Sequence, residues 1–199
     1  MNNKELGDKL QECGAVKFGD FTLASGKKSR YYVDVKKAIT KPKILELICE
    51  HVIDAIVDRC LKCDYIACVE LGSVPIGTMV SVNMEIPLLI IRKSQKDHGL
   101  KNRVIGDPEK KKVAILVEDV TTTVGSVISA VQALRDEGLI VQTVISVVDR
   151  DEGAEETLAK EGLELISLVK AKTLLEDYEV ADALRHSGGI KAGSNVLLS

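Results

Sequence analysis

Apolar residues fall into short runs that alternate with amphipathic stretches along most of the chain. Four of these runs are rich in β-branched residues and lack strict apolar–polar alternation, which is typical of strands covered on both faces. They lie at 65–69, 88–91, 113–117 and 141–148. Helices are predicted between them, near 75–83 and 125–137. The alternation predicts an α/β fold with a central, mostly parallel sheet flanked by helices.

The N-terminal part of the chain is less regular. We predict a short helix at 4–13 and then strands at 18–22 and 31–35, which flank a polar turn. Residues 1–40 are therefore expected to form a small hood rather than part of the core. An apolar stripe predicts a helix that runs to about Cys60, with Thr40 as its N-cap and Pro42 in its first turn.

The C-terminal part continues the alternation and then loses it. A helix is predicted at 153–161, a strand at 163–169 and a last helix near 172–184. Glycine breaks in 186–199 predict a flexible tail. Between Arg92 and Lys112 the chain is too polar for a core element, so this segment is expected to be a long loop, either disordered or functional.

Composition narrows the class of protein. A chain of 199 residues that is 45% hydrophobic and 29% charged is expected to form one domain. A net charge of −3, with only two Phe, four Tyr and no Trp, argues against a nucleic-acid partner. No apolar run is long enough to span a bilayer and the N-terminus resembles no signal peptide. We therefore expect a cytoplasmic protein without a membrane partner.

Five cysteines, an odd number without secretory context, do not predict a disulfide framework. Cys60 and Cys63 have the C-x-x-C spacing of redox and zinc sites. A second C-x-x-C or a histidine pair at zinc-finger spacing is missing from the sequence. A structural role near a helix end is the favoured interpretation.

The most informative motif is Ile-Leu-Val-Glu-Asp-Val-Thr-Thr-Thr-Val-Gly-Ser at 115–126. A buried strand leads through two acids into a hydroxyl-rich turn and an amphipathic helix. Backbone N–H groups at a helix start, the helix dipole and nearby hydroxyls together favour a phosphate. Adjacent acids repel phosphate but suit sugar hydroxyls. The motif predicts a sugar-phosphate ligand.

This run resembles the motif with which type I phosphoribosyltransferases bind phosphoribosyl pyrophosphate (PRPP). The resemblance implies that Glu118 and Asp119 face the ribose hydroxyls, with Asp119 catalytic. It also implies that the following residues surround the 5′-phosphate: Val120, Thr121, Thr122, Thr123, Val124, Gly125 and Ser126. Val124 stands where the family usually has glycine.

A second motif, Arg-Lys-Ser-Gln-Lys-Asp-His-Gly at 92–99, opens the polar loop. Its cations suit a pyrophosphate leaving group, because negative charge grows there in the transition state. Closure of such a loop would also exclude water. The motif resembles the R-K-x-x-K-x-H-G catalytic loop of orotate phosphoribosyltransferases. This implies diphosphate binding by Arg92, Lys93, Lys96 and His98, with Lys96 and His98 catalytic.

A third motif, Asp-Arg-Asp-Glu at 149–152, follows the next strand and therefore lies at the same sheet edge. A guanidinium can grip a carboxylate such as that of orotate with two hydrogen bonds. The motif resembles the orotate-binding segment of the same family, which implies that Arg150 and Thr122 bind the base. The stretch 21–32 resembles the family's hood over the base.

Together these matches cover most of residues 15–155. They imply a type I phosphoribosyltransferase fold and conversion of orotate and PRPP to orotidine 5′-phosphate and pyrophosphate, in pyrimidine biosynthesis. They also imply Mg²⁺ held mainly by PRPP, with no direct protein ligand, and a homodimer in which the loop 92–106 closes over the partner's site. Two lysines that many bacterial members have are replaced by Ala24 and, in the loop 70–75, by Gly72. Backbone N–H groups of Leu71, Gly72 and Ser73 are further candidates for the diphosphate.

Two other functions share parts of this pattern. A purine or uracil phosphoribosyltransferase would keep the PRPP motif, and a panel of bases would distinguish it. A PRPP-sensing regulator would keep the sugar-phosphate site but need a basic face or an added DNA-binding domain. The charge and length of the chain, and retention of Lys96 and His98, favour an enzyme.

Overall fold

The structure is a computed structural model that describes residues 3–22, 28–93, 103–122 and 124–187. Its helices are α1 (Asn3–Glu12), α2 (Lys36–Ile39), α3 (Pro42–Asp58), α4 (Val74–Met84), α5 (Gly125–Asp136), α6 (Ala154–Lys160) and α7 (Ala171–Ser187). Its strands are β1 (Val16–Thr22), β2 (Lys28–Val33), β3 (Tyr65–Val69), β4 (Leu88–Ile91), β5 (Val104–Ile105), β6 (Val113–Thr121), β7 (Ile140–Asp149) and β8 (Glu164–Lys170).

A six-stranded sheet in the order β5-β4-β3-β6-β7-β8 forms the centre of the fold. Its strands run parallel except for β5, which pairs antiparallel with β4. The predicted α/β architecture with a mostly parallel sheet is confirmed. β3 and β4 have the predicted bounds, whereas β6 and β7 extend beyond them.

The sheet separates two hydrophobic cores, which explains why its strands carry apolar residues at consecutive positions. Ile66 on β3 packs into the core that α1, α3 and α4 cover. Its neighbours Ala67 and Val69 pack into the core on the α5 and α6 side. Because successive strand residues point to opposite faces, a strand buried on both faces shows no polar alternation.

The N-terminal part is divided between core and hood. β1 and β2 form a separate antiparallel hairpin. Leu6 and Leu10 of α1, by contrast, are fully buried in the main core. The expectation that residues 1–40 lie outside the core was therefore wrong for α1, whose apolar face packs near β8 and α3.

The start of α3 also differs from the prediction. Lys41 occupies the N-cap position and its side chain makes no capping hydrogen bond, while Pro42 begins the helix as predicted. Thr40 ends α2, which was not predicted, and its hydroxyl donates to the carbonyl of Lys37 at 2.9 Å. The assignment of Thr40 as N-cap was wrong because that hydroxyl serves the preceding helix.

The polar segment after Arg92 was expected to contain no core element, and this was wrong at Val104. Val104 is 5% exposed and pairs with Ile91 across β5 and β4. Two residues are too few for a periodic signal, so only pairing with β4 identifies this strand. At the other end α7 continues to Ser187, and residues 188–199 of the predicted tail lie outside the described residues.

The C-x-x-C pair lies after α3, with Cys60 exposed and Cys63 partly buried. The Cys63 thiol donates to the carbonyl of Tyr65 at 3.3 Å, and burial raises its pKa to about 11. A thiol with a raised pKa is a poor nucleophile and metal ligand. Within the described ranges no group of three or more His, Cys, Asp or Glu residues is placed to hold a metal ion.

None of the helices in those ranges has the length and apolar character needed to cross a membrane.

Candidate active site

Half of the predicted site residues line a cleft of about 300 Å³ at the carboxyl ends of β3, β6 and β7. They are Lys93, Glu118, Asp119, Val120, Thr122, Ser126 and Arg150. This edge is where open α/β sheets bind ligands, because loops and helix starts converge there. The residues that line the cleft are Val33, Lys36, Val69, Glu70, Leu71, Gly72, Lys93, Glu118, Asp119, Val120, Thr122, Ser126 and Arg150.

The acid pair lines this cleft. Glu118 and Asp119 lie within β6, which continues to Thr121 instead of ending at the acids as the sequence suggested. They are 7% and 8% exposed. Asp119 Oδ1 accepts from the Val120 N–H at 2.9 Å, and Asp119 Oδ2 lies 3.5 Å from Lys36 Nζ. The strand thus holds both carboxyl groups at fixed positions beside the cleft.

The two carboxyl groups differ in their environments. Burial, reinforced by a hydrogen bond with Asp119 and by that residue's charge, raises the pKa of Glu118 to about 9. The charge of Lys93 partly opposes this rise. At neutral pH the free protein therefore carries a protonated Glu118 that can donate a hydrogen bond, next to Asp119, which is ion-paired with Lys36. Such a pair can both donate to and accept from ribose hydroxyls.

The loop after β3 also lines the cleft. Its Glu70–Leu71 peptide bond is cis. Gly72 lies so close to Asp119 that a Cβ there would overlap the carboxylate oxygen Oδ2. Any side chain at position 72 would displace Asp119 or the loop. Ser73, whose backbone N–H was a candidate for the diphosphate, is not among the residues that line the cleft, and its hydroxyl donates to the carbonyl of Val69 at 2.8 Å.

The turn before α5 is compatible with valine at the position where the family usually has glycine. Val124 has a φ of −58°, which is unstrained for a β-branched residue, and its side chain is 6% exposed in the α5-side core. Gly125, the first residue of α5, has open space around the position of a Cβ. Thr122 and Ser126 both line the cleft, so two of the predicted hydroxyls reach it.

Of the remaining threonines of the motif, the structure describes Thr121 and does not place it among the residues that line the cleft. The Thr121 hydroxyl is buried behind the cleft and donates to Asp149 Oδ1 at 3.2 Å. The carbonyl of Thr121 accepts from the Arg150 N–H at 3.1 Å. Thr121 thus joins the phosphate turn to the segment that carries Arg150. Thr123 lies outside the described residues.

The basic motif begins directly after β4. Lys93 lines the cleft, and its N–H donates to Glu70 Oε1 at 2.7 Å. The Arg92 N–H donates to the carbonyl of Arg103 at 3.0 Å, which closes the base of the loop. The predicted catalytic residues Lys96 and His98 lie outside the described residues.

Arg150 forms the other end of the cleft and is held from several sides. Its side chain is 13% exposed, and its guanidinium lies over the Tyr31 ring, 5.4 Å from the centroid. The Tyr31 hydroxyl donates to the Arg150 carbonyl at 2.5 Å. Arg150 Nη2 lies 2.8 Å from Glu152 Oε1, close enough for an ion pair but without hydrogen-bond geometry.

Arg150 Nε is buried and has no hydrogen-bond partner within the described part of the chain. A buried donor without a partner costs free energy that an acceptor on a ligand would recover. The guanidinium therefore has unused donor capacity at the edge of the cleft. A planar ligand with a carboxylate or ring carbonyls fits this requirement.

Sequence reasoning missed several residues of the site. Lys36 and Val33 line the cleft but belong to no motif that was singled out, and Glu70, in the loop 70–75, was not named as a site residue. Tyr31 falls in the hood stretch that resembles the family, although its contact with Arg150, 119 positions away, has no local signal. Only the folded chain brings these residues to the cleft.

Comparisons with known proteins agree with the geometry. Residues 36–182 match the family model described as "Phosphoribosyl transferase domain". The chain is 53% identical to an orotate phosphoribosyltransferase of Methanocaldococcus jannaschii over 83% of this chain and 92% of that protein. It is 49% identical to one of Methanosarcina mazei over 88% of this chain and 93% of that protein. Among solved structures, the orotate phosphoribosyltransferase of Aeropyrum pernix superposes with a TM-score of 0.79 at 32% identity, covering 88% and 98% of the two chains. The chain therefore belongs to the orotate phosphoribosyltransferases and has the type I phosphoribosyltransferase fold.

Proposed function

We propose that this cleft transfers the phosphoribosyl group of PRPP to orotate, forming orotidine 5′-phosphate and pyrophosphate for pyrimidine nucleotide synthesis. The observation that carries the proposal is the placement of the acid pair between two complementary sites. A hydroxyl-lined helix start lies on one side, and the partly unsatisfied Arg150 lies on the other. This matches a ribose with its phosphate at one end and the acceptor base at the other.

The ribose 5-phosphate is assigned to the α5 side of the cleft. N–H groups in the first turn of α5 and the hydroxyls of Thr122 and Ser126 would bind the 5′-phosphate. Glu118 would donate to one ribose hydroxyl and Asp119 would accept from another. These contacts fix C1 of the ribose between the two reacting groups.

The chemistry is a substitution at C1. The bond from C1 to the pyrophosphate oxygen breaks, pyrophosphate leaves with the electron pair, a ring nitrogen of orotate bonds to C1, and its proton is released. Positive charge develops near C1, where the Asp119 carboxylate stabilises it, and negative charge develops on the pyrophosphate. Arg92, Lys93, Lys96 and His98 are proposed to stabilise that leaving group.

Mg²⁺ is proposed as the cofactor, held mainly by PRPP. The cleft suits such an ion, since Glu118 and Asp119 present carboxyl oxygens beside the place assigned to the ribose hydroxyls. When bound, the ion would offset charge on the diphosphate. The protein residues would orient the complex through the sugar and phosphates rather than ligate the metal directly.

We further propose that residues 1–199 act as one domain in the cytoplasm and pair as a homodimer. In that dimer the loop 92–106 closes over the partner's site. The hydrogen bond between the Arg92 N–H and the Arg103 carbonyl fixes the base of this loop, so only the stretch between them can extend. About ten residues anchored at both ends reach roughly 15–20 Å, and the dimer must therefore place the neighbouring cleft within that distance.

Subunit mixing tests this arrangement. Lys96→Ala subunits are mixed with Asp119→Asn subunits, each nearly inactive alone. If the loop acts in the partner's site, a hybrid dimer contains one site with both groups intact. Random re-pairing makes about half of the dimers hybrids, so activity should recover to about a quarter of wild type. A mixture that exchanges subunits and stays inactive would show that the loop serves its own subunit.

The reaction itself is tested by following the ultraviolet absorbance of orotate with PRPP and Mg²⁺, beside reactions with hypoxanthine, adenine and uracil. The proposal predicts consumption of orotate alone and release of pyrophosphate. Turnover of another base in preference to orotate would support a purine or uracil enzyme. Tight PRPP binding with no turnover of any base would support a regulator.

A further inference from the structure

Lys36 lies in the cleft although no sequence motif pointed to it. It is the first residue of the four-residue helix α2, between the hood hairpin and α3. Val35 and Ala38 are fully buried and anchor this helix in the core. The Asp34 N–H adds a hydrogen bond to the carbonyl of Ala15 at 2.7 Å. The backbone of Lys36 is therefore held firmly while its side chain extends into the cleft.

We propose that Lys36 binds the diphosphate of PRPP, an inference that rests on the proposed function. Its ammonium lies 3.5 Å from Asp119 Oδ2, the same oxygen that Gly72 closely approaches. Lys36, Asp119 and the loop after β3 thus meet at one place. The 5′-phosphate is assigned to Ser126 at the α5 side. The 5′-phosphate and the 1-diphosphate are attached at opposite ends of the ribose. The diphosphate is therefore assigned to the side of the cleft formed by the loop after β3.

The ion pair with Asp119 does not oppose this role. The Lys36 side chain is 59% exposed, so solvent screens its attraction to Asp119 and the pair contributes little to stability. A ribose hydroxyl would take the place of the ammonium beside Asp119 Oδ2 when PRPP binds. The ammonium would then be free to contact an oxygen of the nearby diphosphate, which carries more negative charge than one carboxylate.

Lys36 also supplies a positive charge near Asp119, where a side chain at position 72 could not be accommodated. A side chain at 72 would collide with Asp119, so this position can offer only backbone groups. The Lys36 ammonium reaches the same place from a different element, α2. With Lys93, whose charge acts on Glu118, it would flank the acid pair with two cations from different elements.

Calorimetric binding to Lys36→Met tests the proposal, with Lys37→Met as the matched control. Lys37 is the next residue of α2, is exposed and does not line the cleft. Three ligands are titrated in the presence of Mg²⁺: PRPP, pyrophosphate and ribose 5-phosphate. We expect Lys36→Met to bind PRPP and pyrophosphate about tenfold or more weakly, as for loss of a charge-assisted contact. Binding of ribose 5-phosphate should be unchanged, and Lys37→Met should match wild type for all three ligands.

Steady-state kinetics supply the second measurement. Lys36→Met should raise KM for PRPP but not KM for orotate, and Lys36→Arg should restore most of the loss because it keeps the charge. Equal weakening of all three ligands would assign Lys36 a structural role through Asp119, and unchanged pyrophosphate binding would also overturn the proposal. Failure of the proposed function itself would look different, since wild type would then bind these ligands without consuming orotate.

Discussion

Two regions of the cleft are built in contrasting ways, the base end around Arg150 and the diphosphate end around Lys36 and Lys93. At the base end, Arg150 is 13% exposed and is held by Tyr31 and Glu152. At the diphosphate end, Lys36 is 59% exposed and Lys93 is also exposed. The base end is thus preorganised around one enclosed cation, whereas the diphosphate end uses exposed cations with little to restrain them.

The difference fits the two ligands assigned to these ends. Orotate is a rigid, planar acceptor, and a fixed guanidinium fork can match its carboxylate or carbonyls with little loss of conformational freedom. Pyrophosphate must be bound during the reaction and then leave. Flexible lysines can contact pyrophosphate as its negative charge develops and then let it dissociate. This is because exposed ammonium groups bind through contacts that are screened by solvent and can change geometry. We infer that specificity lies at the enclosed end and turnover depends on the open end.

The largest expected effect comes from breaking the base end with Arg150→Ala. Orotate should bind more weakly by about 1.5–3 kcal/mol or more, roughly ten- to a hundredfold, because a charge-assisted contact is lost. Binding of PRPP should remain close to wild type, since the phosphate site is separate. Steady-state kcat/KM for orotate and calorimetric PRPP binding measure the two effects. Weakened PRPP binding with unchanged orotate affinity would contradict this assignment.

Two milder variants at the base end should have smaller effects on the use of orotate. Arg150→Lys keeps the charge and loses the planar fork, so its orotate kcat/KM should fall between those of wild type and Arg150→Ala. Tyr31→Phe keeps the ring beside Arg150 and removes the hydroxyl that donates to its carbonyl. A smaller loss confined to orotate is expected from it. A loss in PRPP binding instead would show that Tyr31 does not act through Arg150.

The next prediction concerns the acid pair. We expect Glu118 to make the free energy of unfolding depend on pH. The pKa of Glu118 is about 9 in the folded protein, against an ordinary value of 4.5. Between these values the unfolded chain has lost a proton that the folded protein keeps, so unfolding releases a proton. The unfolding free energy contributed by this group is therefore fully present below about pH 4.5 and falls as pH rises toward 9.

Glu118→Gln should remove this dependence, because an amide does not ionise. Relative to wild type, the variant should gain in Tm as pH is raised from 5 to 9. For a chain of this size, Tm changes by about 2–4 °C for each kcal/mol. Thermal unfolding of both proteins across that pH range is the measurement, and Asp136→Asn, at the exposed end of α5, is a control for general charge effects. Parallel pH profiles for wild type and Glu118→Gln would contradict the raised pKa.

The smallest effect on ligand binding is expected at Val124. Val124→Gly removes a buried side chain from the α5-side core and adds backbone freedom at the helix start. We expect a loss of about 2–3 kcal/mol in unfolding free energy and a modest weakening of PRPP binding. Val124→Ala separates loss of packing from gain of backbone freedom. Tighter PRPP binding in the glycine variant would mean that valine strains the turn.

Much of the fold follows from local patterns. The bounds of β3 and β4 were predicted because a strand buried on both faces carries a continuous apolar run whatever its neighbours are. The strand β5 and the helix α2 were missed because two and four residues hold no periodic signal. The Thr40 cap was wrong because the same hydroxyl can serve the end of one helix or the start of the next.

The candidate site divides in the same way. The motif 115–126 and Arg150 were recognised from sequence because their residue types follow strands in a fixed order, and parallel strands bring those positions to one edge. Lys36, Tyr31 and the fit of Gly72 against Asp119 were not recognised, since each depends on contacts between segments distant in sequence.

The sequence by itself determined the class of fold and the family to which the chain belongs. It also determined which of the central strands are followed by the acid pair, the basic motif and Arg150. Only the tertiary structure decided which lysine reaches the acid pair, that Glu118 is held protonated, and that Arg150 is enclosed by the hood. The physical reason is range. Strand burial and phosphate turns arise from neighbouring residues, whereas desolvation and charge pairing depend on which distant groups the folded chain places within a few ångströms.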